Sequence, residues 1–355
     1  MLASVTVTSF AATTFDGILR KTEEGRYDAL LPPPFESNHA SFIERDTPND
    51  GNNFAMAWFS GTKEGESDVA IVIARLDLPD GIAGGKWSNA TVVSQRPNFS
   101  NQNPVLFHDA AEDELHLFHT QQSPESGEKE ATVWYLKEQP DKTFSEPVKI
   151  FGKDGSFIRN RMIKSLNGTW LFPMYYATND PKNYAHIKTL RQGQDPAVDS
   201  WGNLDFSDSD DLVQPTVVRP SPGEPGLLAF FRDRNKEWIY TASSSDDGET
   251  WSDCVATELP NPNSGIEAFA LSSGRIAMVY NPQTAGRDPL VVSLSEDGGK
   301  TWSITRVLES DDGDQEFSYP TLLEDEANGV IHVSYTWKRE AIKHSVITEE
   351  WIMAA

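Results

Sequence analysis

The chain has 355 residues, longer than a typical single domain, and an apolar fraction of 38% with 10 Trp and 18 Phe, enough for a packed core. Its 30 Lys and Arg against 54 Asp and Glu leave a net charge of −24, a field that repels phosphate backbones and anionic lipid and so argues against nucleic acid or membrane as partner. Its one cysteine, Cys254, excludes an intramolecular disulfide framework and a thiol-rich metal site.

The opening stretch, MLASVTVTSFAATTF, has neither a basic n-region nor a long apolar h-region. No segment approaches the roughly 18 uninterrupted apolar residues of a membrane span, so the sequence reads as soluble, with a lean towards an intracellular location. The sequons at Asn89, Asn98 and Asn167 decide nothing, because such tripeptides arise often by chance.

From about residue 30 the chain repeats one grammar: a mixed polar and apolar strand, a short apolar strand, and a longer alternating strand running into a tight turn. First strands are predicted at SNHASFI (37–43), QNPVLF (102–107), IRNRMI (158–163), QPTVV (214–218), GIEAFAL (265–271) and SYPTLL (318–323). The fourth unit continues as LLAFFRDR (227–234) and EWIYTASS (237–244). Aromatic residues close the units at Trp87, Phe144, Trp201, Trp251 and Trp302, spaced by about fifty residues.

Two octapeptides fix the turn chemistry, Ser244 to Trp251 (SSDDGETW) and Ser295 to Trp302 (SEDGGKTW). Both fit the pattern S-x-D-x-G-x-T-W, in which Asp and Ser/Thr satisfy turn amides, Gly takes a positive φ and Trp packs between sheets. Six such units predict an all-β, six-bladed propeller with four-stranded antiparallel blades spanning residues 1–355 as one domain. Within segment 1–30, either SVTVTSF or YDALL supplies the missing outer strand of the last blade. A solenoid is the architectural alternative, which the turn chemistry and strand length disfavour.

In a propeller the innermost strands run along the channel, so the polar residues that open them ring one mouth: Asn38/His39, Gln102/Asn103, Arg159/Arg161, Gln214, Glu267 and Tyr319. Residues ending the second strands flank the same mouth, among them Tyr175, Arg232, Arg234, Asn281 and Trp337. The expected cleft is polar, aromatic-walled and locally basic. Such a lining suits sugars, whose rings offer apolar faces and hydroxyl edges.

The two octapeptides, their period and the blade-start motifs resemble the sialidase superfamily in its broad Asp-box branch, over residues 30–350. In that resemblance SGIEAFALSSGRIAMVYNPQ is similar to the strand pair carrying a catalytic glutamate, and EFSYPTLLEDEANGVIHVSYTW to the pair carrying a nucleophilic tyrosine. It implies Glu267 as the carboxylate partner of Tyr319, whose phenol, with an ordinary pKa of about 10, needs such help. It also implies an acid/base carboxylate at Asp68, in a loop shared with Glu64 and Glu66. The family's arginine grip departs from pattern. Asn38-His39-Ala40 stands where its first arginine belongs, Asn281-Pro282-Gln283 where its second does, and Arg306 is the nearest candidate for the third.

Each sharp reading has a plain alternative. Tyr319 and Glu267 are either a catalytic pair or residues that merely hydrogen-bond across the channel; His39 is either a general acid or base or a satisfied structural histidine. Arg232 and Arg234 alternate along one strand and so point to one face, either meeting one carboxylate or neutralised by Asp233. Arg159 and Arg161 share that logic. His116 and His119 face opposite sides of a strand and do not make a metal pair, the acidic turn 309–316 lacks a calcium-loop pattern, and neither metal nor cofactor is expected. The functions in competition are a sialidase-like hydrolase at a terminal acidic sugar, a polysaccharide lyase beside a uronate using His39 and a tyrosine, and a glycan-binding propeller without activity.

Overall fold

The computed structural model describes residues 14–46, 53–78, 81–178, 182–311 and 315–354. Six antiparallel sheets follow one another along the chain as the blades of a propeller. Blade 1 is Ser37–Arg45, Asn53–Gly61 and Ala70–Asp77, edged by two short pieces, Lys86–Trp87 and Thr91–Ser94. Blade 2 is Ser100–Asp109, Glu114–Gln122, Thr132–Lys137 and Val148–Phe151. Blade 4 is Leu212–Val218, Leu227–Asp233, Trp238–Ser244 and Val255–Pro260, within two residues of the expected limits. Blade 5 is Glu267–Ala270, Ile276–Tyr280, Leu290–Ser295 and Ile304–Glu309.

Blade 6 is Phe317–Asp325, Val330–Trp337 and Ala341–Ile347, completed by Arg26–Leu30 and then Arg20–Glu23 from the other end of the chain. Arg26 pairs with Ile347 and Leu30 with Lys343, so of the two candidates for the closing strand the YDALL stretch takes the place. SVTVTSF lies outside the described residues. Blade 3 departs from expectation. Its inner strand is not continuous over 158–163 but breaks into Ser156–Ile158 and Ile163–Lys164, both paired with Trp170–Tyr176, before Tyr184–Leu190 and Gly202–Asp205. The break frees Arg159 and Asn160 from the ladder, and both bond to other blades instead.

The Asp-box turns hold themselves together locally. Asp297 accepts from the Thr301 amide at 2.9 Å and its hydroxyl at 2.8 Å, while Ser295 accepts from the Gly299 amide. Their tryptophans pack between neighbouring blades: Trp302 is 5% exposed and meets the Phe230 ring edge-on at 5.7 Å. Burying one such aromatic is worth about 3 kcal/mol, and every blade interface carries several.

Four inner strands share one irregularity that positions the mouth. Pairing slips between His39 and Phe42, Gln102 and Val105, Val213 and Thr216, and Ser318 and Thr321. The bulged residues Ala40, Asn103, Gln214 and Tyr319 sit in the left-handed region, φ 55°, 46°, 50° and 52°. A bulge of this kind leaves the ladder and re-aims its side chain. In three of the four cases a proline follows, Pro104, Pro215 or Pro320, a residue with no amide to lose from the ladder. The geometry therefore aligns Ala40 with Gln214 and Tyr319, which corrects the alignment of Asn38 and His39 with them by one or two residues.

Candidate functional site

The bulges bring residues of five blades together around Tyr319. Its hydroxyl accepts from Arg232 Nη1 at 2.6 Å, and the same nitrogen donates to Gln214 Oε1 at 3.0 Å. Arg232 Nε donates to Asn263 Oδ1 at 2.7 Å. The Arg159, Arg232 and Arg287 guanidinium carbons lie 5.3, 5.6 and 5.4 Å from the centre of the Tyr319 ring. His39 packs on the ring, centroids 4.3 Å apart. Gly265 leaves the space these groups need: a Cβ there would stand 3.3 Å from Tyr319 Cγ and 3.4 Å from Gln214 Oε1.

A network of ions borders the tyrosine. Arg287 Nη1 bonds Glu316 Oε1 at 2.8 Å, Arg339 Nε meets Glu316 Oε2 at 2.9 Å, and Arg339 Nη1 meets Glu64 Oε2 at 2.6 Å. His39 Nδ1 shares a hydrogen bond with the Thr336 hydroxyl at 2.8 Å, while its buried Nε2 has no partner among the described residues. Neither Arg159 nor Arg232 has a carboxylate within 4.0 Å among the described residues. Positive charge therefore exceeds negative at this mouth, on a chain whose net charge is −24.

That imbalance sets the protonation of the groups. Burial pushes the Tyr319 phenol up, but the Arg232 and Arg287 guanidiniums and the Gln214 amide outweigh it, so its pKa lies below the ordinary 10 despite the opposing pull of Glu64. His39 is held well below its usual 6.5 by burial and by Arg339, Arg287, Arg159 and Arg232, which keeps it neutral. Glu316 remains ionised, because its arginine partners overcome burial.

The structure divides the expected site residues into two groups. Tyr319, His39, Gln214, Arg232 and Arg159 come together as described, with Arg234 and Tyr175 beside them. Arg234 lies 5.8 Å from the Tyr175 ring and bonds Glu128. Arg232 and Arg234 thus take different partners, and Asp233 neutralises neither, its carboxylate accepting from the Asn235 and Glu237 amides. The other group clasps blades. Asn38 spends its amide on Phe35 O and Glu340 O and its carbonyl on Trp58 Nε1 and Ser60 Oγ. Asn281 donates to Pro289 O and Phe317 O, and Asn103 to Ile158 O. Trp337 packs edge-on against Phe15, 6.0 Å between centroids.

Glu267 and Arg161 sit inside the channel rather than at its mouth. Glu267 is fully buried, accepts from the Leu322 amide at 2.5 Å and lies 3.6 Å from Arg161 Nε. Arg161 also bonds Glu44, Ile43 O and Leu322 O. No hydrogen bond joins Glu267 to the Tyr319 hydroxyl, whose partner is a guanidinium. Burial raises the Glu267 carboxyl, against the pull of Arg161 and Arg159. Arg159 donates from Nη2 to both Tyr319 O at 2.8 Å and Pro320 O at 2.9 Å, so one side chain from blade 3 pins the bulge of blade 6. Asp68 accepts from the Thr62 amide and hydroxyl, both at 3.1 Å, and staples its own loop; Glu64 of that loop is the carboxylate that reaches the ion network.

Arg287, Asn263, Glu316 and Arg339 were missed by the sequence reading. Arg287 and Asn263 lie on loops after or before regular strands, where no period fixes their direction, and Glu316 was hidden in an acidic turn, residues 312–314 of which lie outside the described residues. Arg306, the nearest sequence candidate for a third arginine, instead bonds Trp351 O and Glu23 on the outer strand of blade 5. His116 and His119 bond Tyr135 and Ser94 in separate places, and among the described residues no group of three or more His, Cys, Asp or Glu is placed to share a metal ion. No helix of the described residues is long and apolar enough to cross a membrane.

Residues 52–333 match the family model of the BNR repeat-like domain. A sialidase from Bacteroides fragilis (strain YCH46) is 26% identical over 211 residues, covering 54% of this chain and 37% of its own length. A Hadza microbial sialidase superposes with a TM-score of 0.73 at 16% identity, over 89% of this chain and 66% of that one. A protein of unknown function from Dyadobacter fermentans DSM 18053 superposes at 0.72 and 16% identity, over 93% and 99%. This chain thus spans little more than a third of the Bacteroides sialidase, and at such identities the structural likeness speaks for the fold alone. Repeat pattern, blade count and the match over most of the chain agree: the protein belongs to the BNR repeat-like domain family and has the sialidase-like six-bladed propeller fold.

Proposed function

We propose that the mouth around Tyr319 cleaves the glycosidic bond of a terminal acidic sugar, as a sialidase-like glycoside hydrolase. The observation that carries this reading is the positive charge without carboxylate partners beside a buried phenol: among the described residues Arg159 and Arg232 have none, and Arg232 makes no hydrogen bond through Nη2. A sugar carboxylate is the group such a guanidinium receives best, and charge-assisted bonds of this kind are the strong ones. Two proteins that this chain resembles, one in sequence and one in fold, are named as sialidases.

Tyr319 would be the nucleophile. Its phenolate oxygen bonds to the anomeric carbon as the glycosidic C–O bond breaks, a carboxyl of the 61–68 loop protonates the leaving oxygen, and water then releases the sugar. Activation would come from the Arg232 and Arg287 field rather than from a neighbouring carboxylate, which corrects the role given to Glu267. A second reading, β-elimination beside a uronate, is favoured by one specific observation: His39, whose buried Nε2 has no partner among the described residues, packs at a tilt against the Tyr319 ring. There the phenolate takes the proton next to the carboxylate, a carbon–carbon double bond forms, and the phenol so formed returns the proton to the departing oxygen.

Product analysis on sialosides and uronate oligosaccharides tests both. Hydrolysis releases a saturated sugar, while elimination leaves an ultraviolet-absorbing unsaturated uronate. Turnover that survives Tyr319→Phe would sink both schemes, and saturable binding without turnover would leave a glycan-binding propeller.

A further inference from the structure

Trp87 is one of the aromatic residues that close the repeating units, and it is bonded differently from Trp201 and Trp251, whose indoles donate to the Pro196 and Gly248 carbonyls. Its N–H donates to His344 Nδ1 at 3.0 Å, His344 Nε2 stands 2.9 Å from His332 Nδ1, and His332 Nε2 faces Asp325 Oδ2 at 3.7 Å. All four side chains are buried, and the two imidazoles lie within 12° of one plane. The chain of contacts crosses the seam where the ring closes. Trp87 belongs to the edge of blade 1, while Asp325, His332 and His344 stand on the first, second and third strands of blade 6. Phe54 of blade 1 covers His332, with 4.3 Å between centroids, and the Trp87 amide donates to Gly17 O at 3.0 Å.

These contacts fix where the protons sit. An indole nitrogen only donates, so His344 Nδ1 accepts and its proton is on Nε2; that proton goes to His332 Nδ1, which leaves the His332 proton on Nε2, towards Asp325. Both rings are neutral, and a further proton has no place in the closed chain. Asp325 is the carboxylate that faces the pair and draws such a proton to His332. His332 Nδ1 then becomes a donor, His344 Nε2 must accept from it, and the His344 proton moves to Nδ1, against the indole N–H. Arg45 of blade 1, 3.5 Å from Asp325, is the other charge on this side. Lys343, Asp28, Glu309 and Tyr335 bond one another on the opposite face of the same strands. Burial holds His332 below its usual 6.5 with Arg45 adding to it, against the pull of Asp325, and burial with His332 holds His344 well below.

We infer that the chain Trp87–His344–His332–Asp325 is an acid-operated latch: uptake of one proton by the imidazole pair breaks the Trp87 bond and opens the seam between blades 1 and 6 while the other blades stay folded. An opened seam binds the proton that the closed one refuses. Below about pH 6.5, the ordinary pKa of an exposed histidine, the open fraction therefore rises about tenfold for each pH unit lost; above it, the seam stays shut. The latch is independent of the function proposed for the mouth.

Hydrogen exchange of the indole N–H groups in the ¹⁵N-tryptophan-labelled full chain tests this directly. Trp87→Phe identifies the Trp87 signal by its absence, and Trp58→Phe that of Trp58, a buried indole of the same blade that donates to Asn38 rather than to a histidine. Once corrected for the ordinary pH dependence of exchange, the Trp87 rate should rise about tenfold per unit between pH 6 and pH 5. It should also be nearly insensitive to low urea, as local openings are, whereas Trp58 follows the urea dependence of global unfolding. His344→Asn places an amide oxygen where Nδ1 accepts and removes the titrating ring, so its Trp87 exchange should be flat over that range. A corrected Trp87 rate that does not change in the parent protein, one that tracks Trp58 in both pH and urea, or a pH dependence that survives His344→Asn would each overturn the latch. The first two outcomes are read in the parent protein and stand whether or not His344→Asn folds.

Discussion

The Asp-box turns and the mouth are both built from polar residues at strand ends, yet they close their hydrogen bonds in opposite ways. Ser295, Asp297, Gly299 and Thr301 satisfy one another within seven residues of chain, and the Ser244 to Thr250 turn does the same. The mouth draws on blades 1, 3, 4, 5 and 6, and among the described residues His39 Nε2 and Arg159 Nε and Nη1 are buried without partners and Arg232 has no carboxylate within ion-pair distance. A buried donor left open costs about 1–3 kcal/mol, so its persistence marks a place where something other than protein completes the bonding.

The sharpest way to break that contrast is Tyr319→Phe, which keeps the ring and removes the oxygen. Turnover of any substrate found should fall by about a thousandfold, in the range expected when a proton-transferring or nucleophilic group is lost, while the denaturation midpoint stays near that of the parent. Glu267→Ala tests the channel below the mouth. It leaves the buried Leu322 amide without its acceptor and removes one of the two carboxylates beside Arg161, which keeps Glu44, and should cost about 1–3 kcal/mol in urea unfolding, as an unsatisfied buried donor does. A Glu267→Ala protein of parental stability would mean that the carboxylate is poised at an open mouth after all.

Acid should act next, and more gradually. His116 and His119 are held down to about 4 and His186 to about 3 by burial, and His39, His332 and His344 also lie below 6.5. Below an unfolded pKa of about 6.5 the unfolded chain binds protons that the native chain refuses, so stability rises with pH there and is lost as pH falls from about 6.5 towards 4. Unfolding midpoints across that window should decline before the carboxylates titrate; a flat profile down to pH 5 would contradict buried neutral histidines. The smallest effect belongs to the perimeter. Asp297→Ala should lower the melting temperature modestly and leave the kinetic constants of the mouth unaltered.

What could be read from the sequence follows the same division. The Ser, Asp and Thr side chains of the octapeptides bond within the turn itself, so two copies were enough to predict the turns, the blade period and, in blade 4, strand limits within two residues. Tyr319, Gln214 and His39, singled out because they open strands, do lie together in the structure. The same rule wrongly gathered Asn38 and Asn281, for a closed ring also needs amide side chains at strand ends to clasp neighbouring loops, and nothing in the residue type tells a clasp from a ligand. Arg287 and Glu316 escaped because their direction is set by loop paths across two blades. The Tyr319 hydroxyl bonds Arg232 rather than Glu267 for a geometric reason: the bulge lifts Tyr319 out of its strand, while Glu267 stays in register, paired with Val279.

The central claim is that guanidiniums, rather than a carboxylate, lower the pKa of a buried phenol at the mouth. Ultraviolet difference titration of the tyrosines addresses it directly, because phenolate absorbs where phenol does not. One tyrosine should titrate below pH 10, vanish in Tyr319→Phe, and move upward in Arg232→Met. A titration in which every tyrosine ionises at or above 10, or in which the low step survives Tyr319→Phe, would contradict it.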